Sequence, residues 1–138
     1  MFNIASTRMK NTFIIVAIIL CLVSCGANER YSFAQSSDNI YEMYVVEINH
    51  DEETETILTQ ITEPKSAITQ IQGLDCKEYW NDPCITLGGI ALKVYYKDGS
   101  YEIITSSCNI YCTGEKKNYG REYFNKDDFD AVLLSYCS

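Results

Sequence analysis

The sequence has little that could carry out catalysis by the common side-chain mechanisms. It contains one histidine, His50, which lies in the acidic stretch 49–53 and is expected in an exposed turn. A histidine that activates a nucleophile must reach a serine or cysteine. The chain lacks the Gly-x-Ser-x-Gly frame of one such arrangement. We therefore predict no catalytic residues, and an enzyme with an unrecognised site stays open as an alternative.

The chain also lacks an apolar run of the length that crosses a membrane. Every residue from Phe13 to Val23 is apolar, but a spanning helix needs about 20 such residues. Arg8 and Lys10 precede the run, and no acidic residue occurs before Glu29. A basic start followed by a short apolar core is typical of a secretory signal peptide rather than of a membrane helix.

The apolar run closes with Leu22, Val23, Ser24 and Cys25. This tetrapeptide resembles the lipobox of bacterial lipoprotein precursors, and the resemblance covers residues 1–25 only. It implies cleavage before Cys25, a diacylglyceryl group on the Cys25 thiol, and acylation of the new amino group. Two acyl chains on Cys25 make a stable membrane anchor, whereas one gives marginal binding. The implied location is the bacterial cell envelope, with the protein lipid-anchored and facing outside the cytoplasm.

These signals divide the chain into three parts. Residues 1–24 are predicted to be a removed signal peptide, residues 25–39 a lipidated cysteine and flexible tether, and residues 40–138 a single globular domain. The removed part holds two basic and no acidic residues, so the net charge moves from −8 to −10. Such an acidic domain repels nucleic acid, which we therefore exclude as a partner.

Five cysteines remain once Cys21 is removed and Cys25 is lipidated; they are Cys76, Cys84, Cys108, Cys112 and Cys137. In an exported domain, five thiols predict up to two disulfides. Cys76 and Cys84 bracket a short loop and form the favoured pair. Cys108 and Cys112 cannot bond across a strand, because four residues span about 13 Å. They can bond if the chain turns between them; otherwise one of them meets Cys137.

We predict no metal ion and no cofactor. The spacing of Cys108 and Cys112 fits zinc loosely, but disulfides are the commoner fate of cysteines outside the cytoplasm. The acidic residues 127–130 lack the spacing and turn glycine of a calcium loop. Negative charge at the start of a helix explains them instead.

Hydrophobic patterning predicts an α+β fold, a small antiparallel sheet of about four to five strands (two hairpins) with two amphipathic helices on one face. Asp98-Gly99 between two strand-like runs predicts a hairpin with a type I′ turn. Residues 112–120 are expected to form a polar loop. One helix is predicted to begin near Pro64 and the other after Asn125, a good N-cap residue.

Tyrosine is abundant, with 11 residues, and is the one feature that favours a binding function. Trp80, Tyr95, Tyr101 and Tyr111 are the candidates for an aromatic binding surface, since such rings offer apolar area and a hydrogen bond. The alternative is that these rings occupy strand positions because aromatics fit there. The expected function is non-enzymatic binding of a protein or glycan partner at the envelope. An inhibitor or immunity-type protein that neutralises a toxin or lytic enzyme is the alternative.

Overall fold

The computed structural model describes residues 29–78 and 87–138. Trp80, Cys84 and Cys25 with its preceding motif lie outside these residues. The strands are β1 Ile40–Asn49, β2 Thr54–Gln60, β3 Cys76–Glu78, β4 Gly89–Tyr96, β5 Tyr101–Ile104, β6 Asn109–Thr113, β7 Lys116–Tyr119 and β8 Glu122–Phe124. The α-helices are α1 Pro64–Gln72 and α2 Lys126–Leu134, and short 3₁₀ helices cover Ser37–Asn39 and Ser135–Cys137.

The described strands form two antiparallel sheets. Six of them make one sheet in the order β2-β1-β4-β5-β6-β7, and β3 pairs with β8 in a second sheet. The predicted α+β fold with an antiparallel sheet is therefore confirmed, but the predicted number of strands was too low. The two sequence-predicted hairpins form β1–β2 and β4–β5.

Both α-helices contribute to the core on one face of the large sheet. Ala67 and Ile71 of α1 and Phe129 and Leu133 of α2 belong to the same buried cluster. The sheet supplies alternate residues of its central strands to this cluster, namely Met43, Val45, Leu92, Val94, Tyr96 and Ile104. The intervening residues point to the opposite face because side chains alternate along a strand.

The opposite face carries two smaller apolar clusters. Val46, Ala91 and Ile103 form one of them, and Cys108, Ile110 and Cys112 form the other. Leu87 and Tyr101 pack against both clusters. This face is therefore buried along β5 and β6, whereas side chains near β2 remain accessible.

Two turns differ from the sequence predictions. Among the described residues, Glu53 is the one non-glycine with positive φ, so Asp98 does not adopt the conformation that a type I′ turn requires. The turn instead has Lys97 and Asp98 at its centre, and Gly99 (φ 84°) follows them. The expected polar loop 112–120 is largely the β6–β7 hairpin, with Gly114 (φ 58°) in its turn.

The helix ends follow local rules. Pro64 occupies the start of α1, where its missing N–H costs no helical bond. The Asn125 side chain accepts a hydrogen bond from the Asp128 N–H at 3.2 Å, which confirms the predicted N-cap of α2. Phe124 and Phe129 stack across this cap with ring centroids 4.9 Å apart.

Residues 29–39 are part of the fold, in contrast to the flexible tether expected from their polar composition. The backbone of Glu29 forms an isolated antiparallel β-bridge with that of Cys76. The Tyr31 side chain is 1% exposed and belongs to the same buried cluster as the helices. The Tyr31 hydroxyl donates to the Glu102 carboxylate, and the Ala34 N–H donates to the same carboxylate at 3.1 Å. A buried carboxylate thus holds this segment against the large sheet.

Candidate binding surface

Three tyrosines come together on the face of the large sheet opposite the helices. They are Tyr44 in β1, Tyr95 in β4 and Tyr101 in β5, which are neighbouring strands. The ring centroids of Tyr44 and Tyr95 are 6.0 Å apart with planes at 86°, and those of Tyr95 and Tyr101 are 5.8 Å apart. These spacings are in the range of favourable aromatic pairs.

Tyr44 and Tyr95 line a shallow groove across β4, β1 and β2, which we call the tyrosine groove, and Tyr101 packs against Tyr95 beside it. The lining residues of the groove are Glu42, Tyr44, Val46, Glu55, Ile57, Lys93 and Tyr95. Its volume is about 150 Å³, whereas sites that enclose drug-sized molecules have about 300–1,000 Å³. The groove is therefore better suited to contact part of a larger molecule than to enclose a small one.

Lys93 is the electrostatic centre of the groove. Its Nζ atom lies 2.8 and 2.9 Å from the two carboxylate oxygens of Glu55, and 5.3 Å from the ring centroids of both Tyr95 and Tyr101. Burial by itself would lower the pKa of Lys93, but the hydrogen bonds to Glu55 and Tyr95 outweigh it and raise that pKa. The ammonium group is thus charged at neutral pH and lies within cation–π range of both rings.

A second charged side chain, Glu42, also lines the groove. The Tyr44 hydroxyl donates to Glu42 Oε2 at 2.8 Å, and this hydrogen bond raises the pKa of Tyr44. The phenol therefore stays protonated at neutral pH. At the outer end, Ile57 of β2 is 61% exposed, so the groove ends in an apolar side chain at the sheet edge.

The sequence candidates for an aromatic surface divide between two faces. Tyr95 lines the groove, and Tyr101 lies next to it on the same face of the sheet. Tyr111 lies on the helix-covered face, where its ring centroid is 6.2 Å from that of Tyr96. Its hydroxyl lies 3.0 Å from both Gln35 Nε2 and Ser100 Oγ. Trp80 falls outside the described residues.

Sequence reasoning missed Tyr44, Lys93 and Glu55 as members of the site. The alternation of side chains in β1 places Tyr44 on the other face of the sheet from Met43 and Val45, but it does not show which of the two faces is accessible. The pairing of Tyr44 with Lys93 across β1 and β4 arises only from the register.

The described cysteines are not joined to one another. No disulfide links any two of Cys76, Cys108, Cys112 and Cys137. Cys112 is a strand residue in β6 and Cys108 immediately precedes that strand, so the geometry that prevents their bonding is present. Burial, followed by the nearby Glu122 charge, raises the pKa of Cys76 to about 11 and keeps its thiol protonated. The favoured partner, Cys84, lies outside the described residues.

Other features bear on chemistry and location. His50 is exposed in the turn between β1 and β2. Within residues 29–78 and 87–138, no group of three or more His, Cys, Asp or Glu side chains is arranged to hold a metal ion. In the same residues, no helix has the length and apolar character needed to cross a membrane.

Comparison with known proteins gives no match to a protein-family model, a curated protein or a solved structure. The chemistry of the tyrosine groove is therefore the basis for a proposal about function.

Proposed function

We propose that this protein is a lipid-anchored lipoprotein of the bacterial cell envelope whose domain binds a protein partner through the tyrosine groove. The observation that carries the binding role is the cluster of three tyrosines around Lys93 on three adjacent strands. Tyrosines are enriched among the residues that supply most of the binding energy at protein interfaces. Their rings offer rigid apolar area, and their hydroxyls offer hydrogen bonds.

The composition of the groove favours a protein over a glycan. Lys93 lies over the rings of both Tyr95 and Tyr101, which leaves less ring surface for a sugar to stack on. Ile57 adds an exposed aliphatic group, and the charged side chains of Glu42, Glu55 and Lys93 lie among the aromatic and aliphatic ones. Protein interfaces combine aromatic contact area with polar and charged groups in this way.

The proposed role of the protein is non-enzymatic. The seven residues that line the groove include no serine, cysteine or histidine. The lysine that could act as a base is held as an ammonium group by Glu55, and its raised pKa disfavours loss of the proton.

The anchor rests on the sequence of residues 8–25, and mass spectrometry of the intact protein tests it. We expect a mature chain that begins at Cys25 and carries the added mass of the lipid. A mature chain that begins at Ser24 or earlier, without lipid mass, would refute the anchor and leave the groove unaffected.

Chemical cross-linking of the full-length protein in its native membrane tests the binding role. We expect one recurrent protein partner, whose capture falls by about tenfold or more in Tyr95→Ala, the loss typical of a central interface tyrosine. Tyr119→Ala is the matched control, because this tyrosine lies exposed in β7, at the far edge of the same sheet. Equal capture by both variants, or recovery of a glycan instead of a protein, would contradict the proposal.

An inhibitor or immunity-type role is the second candidate. The acidity of the chain, with a net charge of −8, favours a basic partner such as a toxin or lytic enzyme. In that case a strain lacking the protein becomes sensitive to the cognate toxin. If the protein only binds an envelope partner, the deletion leaves toxin sensitivity unchanged.

A further inference from the structure

We infer that the outer edge of β2 accepts an extended, basic segment of the partner as an added strand of the large sheet. This inference rests on the proposed function and states how the partner is engaged. Strand addition at a sheet edge is a common mode of peptide recognition, in which backbone hydrogen bonds supply affinity and side-chain contacts supply specificity.

β2 is the edge strand of the six-stranded sheet, and among the described residues its one strand partner is β1. The short 3₁₀ helix Ser135–Cys137 also contacts β2 but does not pair with it as a strand. Six of the seven residues of β2 are exposed. An edge strand presents backbone N–H and C=O groups that point away from the sheet and are available to another chain.

The other edge of the sheet differs from β2. It is formed by β7, which has four residues and begins with Lys116 and Lys117. Short length and lysines are features that protect an edge from pairing with another chain. β2 is longer, at seven residues, and contains neither lysine nor proline. Its one irregularity is a shift of register at Leu58, between the pairs Val45–Thr59 and Val46–Ile57. Its one charged residue, Glu55, is bonded to Lys93.

The β2 edge is continuous with the tyrosine groove. Ile57 pairs with Val46 and Glu55 pairs with Ile48, so both β2 side chains lie on the groove face. A strand placed beside β2 brings its own side chains against Ile57, because directly opposite residues on adjacent strands are in contact. One side chain of the added strand would cover the exposed Ile57, and other side chains of that strand would reach the tyrosines.

Charge decides the kind of segment. The turn before β2 holds the exposed residues Asp51, Glu52 and Glu53, and exposed Glu63 lies three residues beyond its end. Both ends of the edge are therefore acidic, which favours lysine or arginine in the added strand. A second copy fits poorly: in a two-fold pairing centred on Ile57, the acidic turn of one copy faces Glu63 of the other.

The test uses the full-length protein in detergent micelles and a labelled peptide of about eight residues, the length of an ordinary strand, that alternates lysine and valine. We expect saturable binding by fluorescence anisotropy, together with slower hydrogen exchange of β2 amides. A peptide of the same charge with a central valine replaced by proline should lose binding, because proline cannot donate the backbone hydrogen bond. Equal binding of both peptides would show simple charge attraction and overturn the inference.

Ile57→Lys and Asn118→Lys provide a matched pair of protein variants, since both add one positive charge at an exposed edge position. We expect Ile57→Lys to weaken lysine–valine peptide binding by about tenfold, and Asn118→Lys to change it by about twofold at most. Equal losses in the two variants would contradict strand addition at β2. Self-association of the protein without peptide, removed by Ile57→Lys, would identify a second copy as the occupant and overturn the inference.

The native cross-linking experiment separates this inference from the proposed function. If Tyr95→Ala abolishes capture of the partner and Ile57→Lys does not, the groove binds the partner and strand addition is wrong. If neither variant changes capture, the proposed function fails as well. Because Ile57 also lines the groove, loss in both variants, with capture retained in Asn118→Lys, supports the proposed function, and the proline-containing peptide then decides strand addition.

Discussion

Glu102 shows how one residue links distant parts of the chain. Its side chain is buried, yet three donors reach it: the hydroxyls of Tyr31 and Tyr96, the latter at 2.6 Å, and the Ala34 N–H. Burial raises the pKa of Glu102 from its ordinary value, although the hydrogen bonds from Tyr31 and Tyr96 act in the opposite direction. Desolvation is the larger effect because a buried carboxylate loses most of its hydration.

This raised pKa makes the stability of the domain depend on pH. The folded protein binds this proton more tightly than the unfolded chain does, so the resulting contribution to stability is fully present below about pH 4.5 and is lost as pH rises through the folded pKa. Glutamine stays uncharged at every pH. We therefore expect the free energy of unfolding of the wild type, relative to Glu102→Gln, to fall as pH rises.

Urea unfolding at a series of pH values measures this difference. Each unit by which the folded pKa exceeds the unfolded one corresponds to about 1.4 kcal/mol. Glu52→Gln is the control, since it removes the same charge from an exposed turn and leaves the core intact. If the free energies of unfolding of Glu102→Gln and the wild type differed by the same amount at every pH, ionisation of Glu102 would not contribute to the pH dependence of stability.

At the scale of the elements, the two α-helices have nine residues each but different N-caps. Asn125 caps α2 through its side chain, whereas Glu63, at the same position before α1, makes no side-chain cap hydrogen bond. Pro64 begins α1 instead, so that end has one fewer N–H group to satisfy. Equivalent substitutions at the two caps should therefore have unequal effects.

We expect Asn125→Ala to lower the free energy of unfolding by about 1 kcal/mol, since the Asp128 N–H loses its acceptor. Glu63→Ala should cost no more than about 0.5 kcal/mol, as for an ordinary surface substitution. Chemical denaturation of both variants under the same conditions compares them directly. A cost for Glu63→Ala equal to that of Asn125→Ala would show that the side-chain cap adds no stability.

For the molecule as a whole, the folded unit extends upstream of the first strand. Tyr31 packs against Phe33 at 5.1 Å and against Phe124 at 5.4 Å between ring centroids. Gln35 adds side-chain hydrogen bonds to Asp98, Ser100 and Tyr111 around the β4–β5 turn. The segment from residue 29 thus completes the core at the end of the sheet where β8 and α2 meet.

A truncated chain tests this boundary. A domain that begins at Ile40 should be less stable than one that begins at Glu29 by about 3–5 kcal/mol, the usual cost of removing a large buried aromatic side chain. Thermal unfolding of the two chains measures the difference, and Tyr31→Ala in the longer chain should reproduce most of it. Equal stability of the two chains would show that residues 29–39 contact the surface of the domain without contributing to its stability.

Local patterns in the sequence determined the elements whose physics is short-range. The strand-like runs, the proline at the start of α1 and the Asn125 cap each depend on residues within one or two turns of chain, and the structure contains them. The β4–β5 hairpin was predicted correctly, but the predicted type I′ turn was wrong, because a third loop residue, Gly99, takes the positive φ.

Only the tertiary structure decided which side chains meet. Tyr101 pairs with Cys112, so the register turns Tyr111 to the opposite face and removes it from the tyrosine groove. Tyr31 looked like part of a polar tether, since nothing nearby in sequence shows that Glu102 and the core lie beside it. Contacts between residues far apart in the chain depend on strand order and register, which the amphipathic pattern of one segment does not encode.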